Sequence, residues 1–219
     1  MERNRDDEDE EETSEVRDAA EEDELPRGWK PSEETIGAIQ EPKETPKSPQ
    51  DSPVQGDAND VKNLTSAFEQ LEATEAGQPI ARAIREHGTT IRFGALDNST
   101  TAQFDPNKNE ITINENQKDA SSAALAAHLA HEGVHVGWDQ PYRLSSFEEF
   151  AEDYIEEEYQ AFKAQDEMWR AAKGEETDER CDAVSAMMDR GESEAKDMLL
   201  RSYFDDILRS WSSINQHNR

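Results

Sequence analysis

The chain has 219 residues, with 52 Asp and Glu against 23 Lys and Arg and a formal charge of −29, a balance that repels a phosphate backbone and argues against nucleic-acid binding. No apolar run approaches the roughly 20 residues needed to cross a bilayer, and the N-terminus is acidic where a secretory signal would be basic and then apolar, so a soluble chain without membrane association is expected. A single cysteine, Cys181, excludes an internal disulfide framework and a multi-cysteine metal site; a reducing cytoplasm is the default compartment, and a packing or surface thiol the expectation for Cys181.

Residues 1–58 hold the acidic runs Asp6 to Glu12 and Glu21 to Glu24, then a stretch punctuated by Pro42, Pro46, Pro49 and Pro53, with almost no apolar clustering. Such a segment cannot bury enough apolar surface to offset the entropy of ordering it, and is expected to be disordered. A substrate mimic, an inhibitory segment and a solubility appendage are all open roles for it, and its sequence favours none of these; a protein partner for the acidic tail is a further expectation. Residues 1–60 carry 21 acidic and 7 basic side chains, hence −14, which leaves −15 on residues 61–219. The acidity belongs to the whole chain. The folded domain is expected over 59–217.

Val61, Leu64, Phe68 and Leu71 recur at helical spacing, and Ile80, Ala81 and Ile84 do so again between Gly77 and Gly88. Then the character changes. Thr89 to Phe93 is rich in β-branched and aromatic residues, and Ile111 and Ile113 alternate with Thr112 and Asn114, with turn chemistry at Asp97-Asn98-Ser99 and Asp105-Pro106-Asn107 between them. Two or three short antiparallel strands are expected near 89–96, 101–105 and 110–114.

Asp119 or Ser121 caps an alanine-rich helix that runs from Ala123 through His135 and ends at Gly137 and Pro141. Ser145 or Ser146 opens a second long helix to about Lys173, where Gly174 follows. Two more helices are expected near 176–190 and 193–214. In the last, Leu199, Leu200, Tyr203, Phe204, Ile207, Leu208, Trp211 and Ile214 form a wide apolar stripe, expected to face the core. The class is α+β, mostly helical, with a small sheet packed against the two central helices.

The first central helix contains His131-Glu132-Gly133-Val134-His135. Four residues is slightly more than one helical turn, so the two imidazoles leave the same face and can close on one metal ion. Glu132, about 100° around the helix, is badly placed as a third ligand but well placed to take a proton from water at the metal's open position.

A catalytic zinc normally has three protein ligands. His87 precedes Gly88 ahead of the strands and His217 sits near the C-terminus, so neither looks placed; His128, one turn before His131, is expected to support the site rather than bind. The next helix carries Glu148, Glu149, Glu152, Asp153, Glu156, Glu157 and Glu158, most of them a solvated face. Its apolar stripe reads Ala151, Tyr154, Ile155, Ala161, Phe162, Gln165, Met168 and Trp169, and the missing member is Glu158. A carboxylate in an apolar stripe is costly unless it meets a cation. Glu158 is therefore the expected third ligand, with Glu157, Glu156 and Glu152 as alternatives. Gly133 is small enough to let the glutamate helix come close. Tyr142, Tyr154 and Tyr159 are donors available to an oxyanion, and Trp138 and Trp169 read as packing residues.

The His131-Glu132-x-x-His135 helix and a glutamate 23 residues after His135 resemble the gluzincin-type zinc metallopeptidases. The likeness is greatest to small metallopeptidase-like domains with Ala-x-x-Leu-Ala-His-Glu, here Ala126 to Glu132, and Glu-x-x-Ala-x-x-Ala-Gln, here Glu158 to Gln165. It covers about residues 78–170. The chain lacks the Asn-Glu-Ala-x-x-Asp of thermolysin-like members, with Phe162 in place of that Asp. The resemblance implies one Zn²⁺ per chain, a peptide or protein substrate, and a sheet edge for the extended substrate, which would be Ile111 to Asn114. The expected function is zinc-dependent peptide-bond hydrolysis with Glu132 as general base. The competing expectations are a weak or inactive zinc module acting in protein–protein contact, and a metal-free helical interaction protein.

Overall fold

A computed structural model describes residues 52–217, with side chains placed as far as Ile214. The expected disordered segment lies outside the described residues up to position 51. Positions 52–58 belong to the fold: Val54 is buried and bridges Ile91, the Gln55 N–H donates to the Ile91 carbonyl, and the Ile91 N–H donates to that of Pro53. The domain therefore begins before the expected boundary. An apolar residue among prolines covers an otherwise open strand edge, where prolines are tolerated.

The elements are helices α1 (Ala58–Ala73) and α2 (Gly77–Glu86), strands β1 (Thr90–Gly94), β2 (Ala102–Asp105) and β3 (Glu110–Asn114), and helices α3 (Ser122–Gly137), α4 (Phe147–Ala172), α5 (Glu179–Met188) and α6 (Glu192–His217). Caps define the helix starts. Asp57 accepts from the N–H groups of Asn59 and Asp60, Ser121 from that of Ala124, and Ser146 from that of Glu149, each satisfying an orphan donor of a first turn. Gly174, at φ +55°, follows the end of α4, in the left-handed conformation that stops a helix cheaply only with glycine. The architecture is α+β, and among the described residues no helix is long and apolar enough to cross a membrane.

The sheet order is β1-β3-β2, with β2 antiparallel and β1 parallel to β3. The expected antiparallel sheet is thus corrected to a mixed one. After β1 the chain crosses the end of β3 before turning back as β2, and Asn114 pins that crossing by donating its amide to the carbonyls of Asp97 and Thr100. Propensity identifies strands, but only this loop decides which neighbours pair.

Helix α3 is enclosed by α1, α2, α4 and the sheet. Its alanines at 123, 124, 126, 127 and 130 are all buried with Leu125 and Leu129, and their small side chains let several elements approach at once. One core joins α1, α2, the sheet, α3 and the C-terminal part of α4 through Met168 and Trp169; the other joins the N-terminal part of α4 to α5 and α6. Only part of the α6 stripe faces inward: Leu199, Tyr203 and Ile207 are buried, whereas Leu200, Phe204 and Leu208 are exposed. That corrects the expectation of a stripe facing the core throughout. Helix α6 lies on α4 along the single i, i+4 ridge of 199, 203 and 207, and the adjacent ridge points away.

Gly133 faces α2 rather than the glutamate helix: a Cβ there would collide with Ile80 Cγ2 and lie 3.0 Å from Ile84 Cδ1. Ala would gain up to ~1 kcal/mol of helix propensity, but overpacking of this kind costs about 1–3 kcal/mol. Gly133→Ala should therefore be net destabilising, read as a lower urea midpoint by circular dichroism.

Candidate metal centre

His131 and His135 leave α3 on the side that meets α4. Their ring centroids are 5.1 Å apart, and their Nε2 atoms face each other at 3.3 Å. Across the helix contact, Glu158 Oε2 is 3.8 Å from His131 Nε2 and Oε1 is 4.0 Å from His135 Nε2. One donor atom from each of the three lies within 4.8 Å of the others. Ligands about 2.0–2.1 Å from a tetrahedral zinc stand ~3.3 Å apart, so small side-chain movements would bring these donors to that spacing. Moreover, Glu158 Oε2 is buried without a hydrogen-bond partner, which is costly unless a cation meets it. The donor set fits a divalent metal.

The periodicity argument thus placed Glu158 where the structure has it, but it did not assign Glu157 its part. Glu157 is also buried; its Oε1 lies 2.7 Å from His135 Nδ1, and its Oε2 accepts from the Tyr142 hydroxyl. It is not in the donor set. Instead it holds the His135 ring by the nitrogen away from the site, leaving Nε2 for ligation. The reading of α4 as one apolar stripe missed this, because α4 is covered by α3 on one side and α6 on another and so buries two adjacent glutamates. Glu152 is exposed and pairs with Arg143, and Glu156 pairs with Lys196; neither belongs to the centre. Tyr203 of α6 donates to Glu158, a role that nothing in its sequence neighbourhood signals. Phe162 packs edge-on against His131 at a centroid distance of 4.6 Å.

These neighbours set the protonation of the site. Burial holds His131 well below its ordinary value, with His135 and His128 adding to it and Gln165 opposing. Burial also works against a charge on His135, but the Glu157 hydrogen bond and the charges of Glu158, Glu157 and Glu132 outweigh it and push the ring up to about 10. Burial raises Glu158 to about 7, with His135 opposing and Glu157 and Glu132 adding to the rise.

Glu132 is buried beside the histidines, and its Oε2 accepts the Phe104 backbone N–H at 2.8 Å. Burial raises its pKa, with His135 and that N–H opposing. The strand beside Glu132 is β2. The expected edge strand, Ile111 to Asn114, is the central strand, hydrogen-bonded to β1 and β2 alike, so its backbone cannot pair with a further chain.

His128 is buried one turn before His131, outside that donor set. His87 is exposed at the end of α2, and the side chain of His217 lies outside the described residues. Tyr142 is committed to Glu157, Tyr154 stacks on Tyr142, and the Tyr159 ring lies under Lys196 Nζ. Trp169 is a core residue donating to Asp182.

Compared with known proteins, the chain matches no family model, no curated protein and no solved structure.

Two outcomes test this geometry. Removing a group that orients a metal-bound imidazole typically costs 10–100-fold in affinity; Glu157→Gln should weaken zinc binding by about that factor in competition with a chromophoric chelator. The second concerns pH. A native pKa raised above the unfolded one means that the folded state holds more protons, so stability falls as pH rises through that interval. For His135 the interval runs from 6.5 to about 10. The chelator-treated chain should therefore melt at a lower temperature at pH 9 than at pH 7, and saturating zinc, which displaces that proton, should flatten the dependence.

Proposed function

We propose that the chain is a zinc-dependent peptide hydrolase of gluzincin type, acting on peptides or proteins in a reducing cytoplasm. The observation that carries this reading is the convergence of His131, His135 and Glu158 on one point, with Glu158 Oε2 buried and without a hydrogen-bond partner. Two imidazoles and one carboxylate make zinc the default ion. When bound, it would supply Lewis-acid polarisation of a carbonyl and acidify a coordinated water.

The chain's own groups account for the rest. His131 and His135 turn their Nε2 atoms toward each other and toward Glu158, the second because Glu157 takes Nδ1. Glu132 stands on the same helix as His131 and His135, and burial raises its carboxyl above the ordinary carboxylate value, the direction that suits a group that takes a proton from water and returns it to a leaving amine. Phe104 N–H orients that carboxylate through Oε2 and leaves Oε1 for the proton.

The same hydrogen bond favours a second reading, in which Glu132 ties α3 to β2 and the centre is a zinc module with little or no turnover, serving protein–protein contact. The two readings separate on one variant. Glu132→Gln keeps an oxygen for the Phe104 N–H but loses the base. It should retain the zinc content of the wild type and hydrolyse a mixture of unstructured peptides at least ~10²-fold more slowly. Undiminished hydrolysis would rule out this role for Glu132, whereas a folded, zinc-loaded wild type without peptidase activity would favour the module. In parallel, Glu158→Ala should lose one zinc per chain by elemental analysis.

A further inference from the structure

Helix α5 begins beside His128 of α3, one turn before the centre described above. Asp178 caps α5, accepting the N–H groups of Arg180 at 3.1 Å and Cys181 at 2.9 Å. The Cys181 side chain is fully buried. Opposite them stands His128, one turn before His131 and 4% exposed.

A ring nitrogen of His128, the Cys181 sulfur and an Asp178 carboxylate oxygen lie within 4.8 Å of one another. His128 Nε2 is buried and has no hydrogen-bond partner. Its other nitrogen is 3.4 Å from Gln165 Nε2, longer than an ordinary hydrogen bond, so this contact does not commit the ring to one tautomer. The neighbouring cation, Arg180, is drawn off to Thr101 and the Asn98 carbonyl.

We propose that His128, Cys181 and Asp178 form a second cation site, distinct from the His131 centre, for a borderline-soft divalent ion such as Zn²⁺. Sulfur and imidazole select such an ion over Mg²⁺ or Ca²⁺. On binding, the Cys181 thiol releases its proton to solvent and the thiolate, the Asp178 carboxylate and neutral His128 become ligands. Asp178 is half-buried, so the remaining coordination position faces solvent and water can fill it. The alternative is a core thiol packed beside a cap.

Because the acidic N-terminal residues can take up divalent ions unspecifically, stoichiometry alone does not decide. The chain has one cysteine, so any thiolate-to-metal charge-transfer band must come from Cys181. The full chain, reduced and stripped by chelator, is titrated with Co²⁺ alone. A near-ultraviolet thiolate-to-cobalt band should appear and saturate, vanish in Cys181→Ser, and require at least tenfold more cobalt in His128→Gln.

Glu158→Ala should keep the band while losing the visible absorption of the other cobalt, which separates this proposal from the hydrolase reading. No thiolate band at saturating Co²⁺ in wild type of native circular dichroism would overturn the site. So would an unshifted titration in a folded His128→Gln.

Discussion

A carboxylate that cannot reach water must meet a positive charge or take up a proton. Glu158 is in that position: it is 5% exposed, enclosed between α3 and α4, and faces two imidazoles and the Tyr203 hydroxyl. Without a metal, the nearest positive charge is His135, which therefore keeps a proton to about pH 10. A divalent ion would replace that proton with a stronger partner for both groups. Binding of such an ion would in this way be coupled to the packing of the two central helices, since the cluster lies where they meet.

Helix α3 makes the seam possible because it has almost no bulk. Its alanines and Gly133 admit neighbours on every side, and Ile80 and Ile84 of α2 close directly onto Gly133. Surrounded in this way, α3 holds His128, His131, Glu132 and His135 largely away from solvent. The cost is that each of their polar atoms requires a partner. Glu157 supplies one for His135, and Phe104 N–H supplies one for Glu132.

Helix α6 divides its apolar surface between two uses. Leu199, Tyr203 and Ile207 complete the second core, and Tyr203 reaches Glu158 from it, so that a residue 45 positions later in the chain helps to hold that carboxylate. The parallel ridge of Leu200, Phe204 and Leu208 stays exposed, with Phe147 meeting only the edge of the Phe204 ring. An all-apolar stripe read from sequence does not distinguish these two ridges.

Much of the centre was legible in the order of residues. The i, i+4 histidines follow from helical geometry alone, and Glu158 follows from the misfit of a carboxylate in an apolar stripe; both signals are local, and local periodicity survives folding. The starts of the two central helices were readable to within two residues, Ser121 against Asp119 and Ser146 against Ser145, since a cap acts within its own first turn. What depended on residues brought together from afar was not legible. The parallel pairing of β1 with β3 turned on where Asn114 pins a loop. Whether Glu157 was solvent or structure turned on α4 being covered from two sides. His128 met Cys181 and Asp178 only because α5 folds back across fifty residues to α3. Sequence by itself determined which side chains share a helix face, because that is set within one or two turns; tertiary structure alone decided which faces meet, because that is set by how whole elements exclude water together.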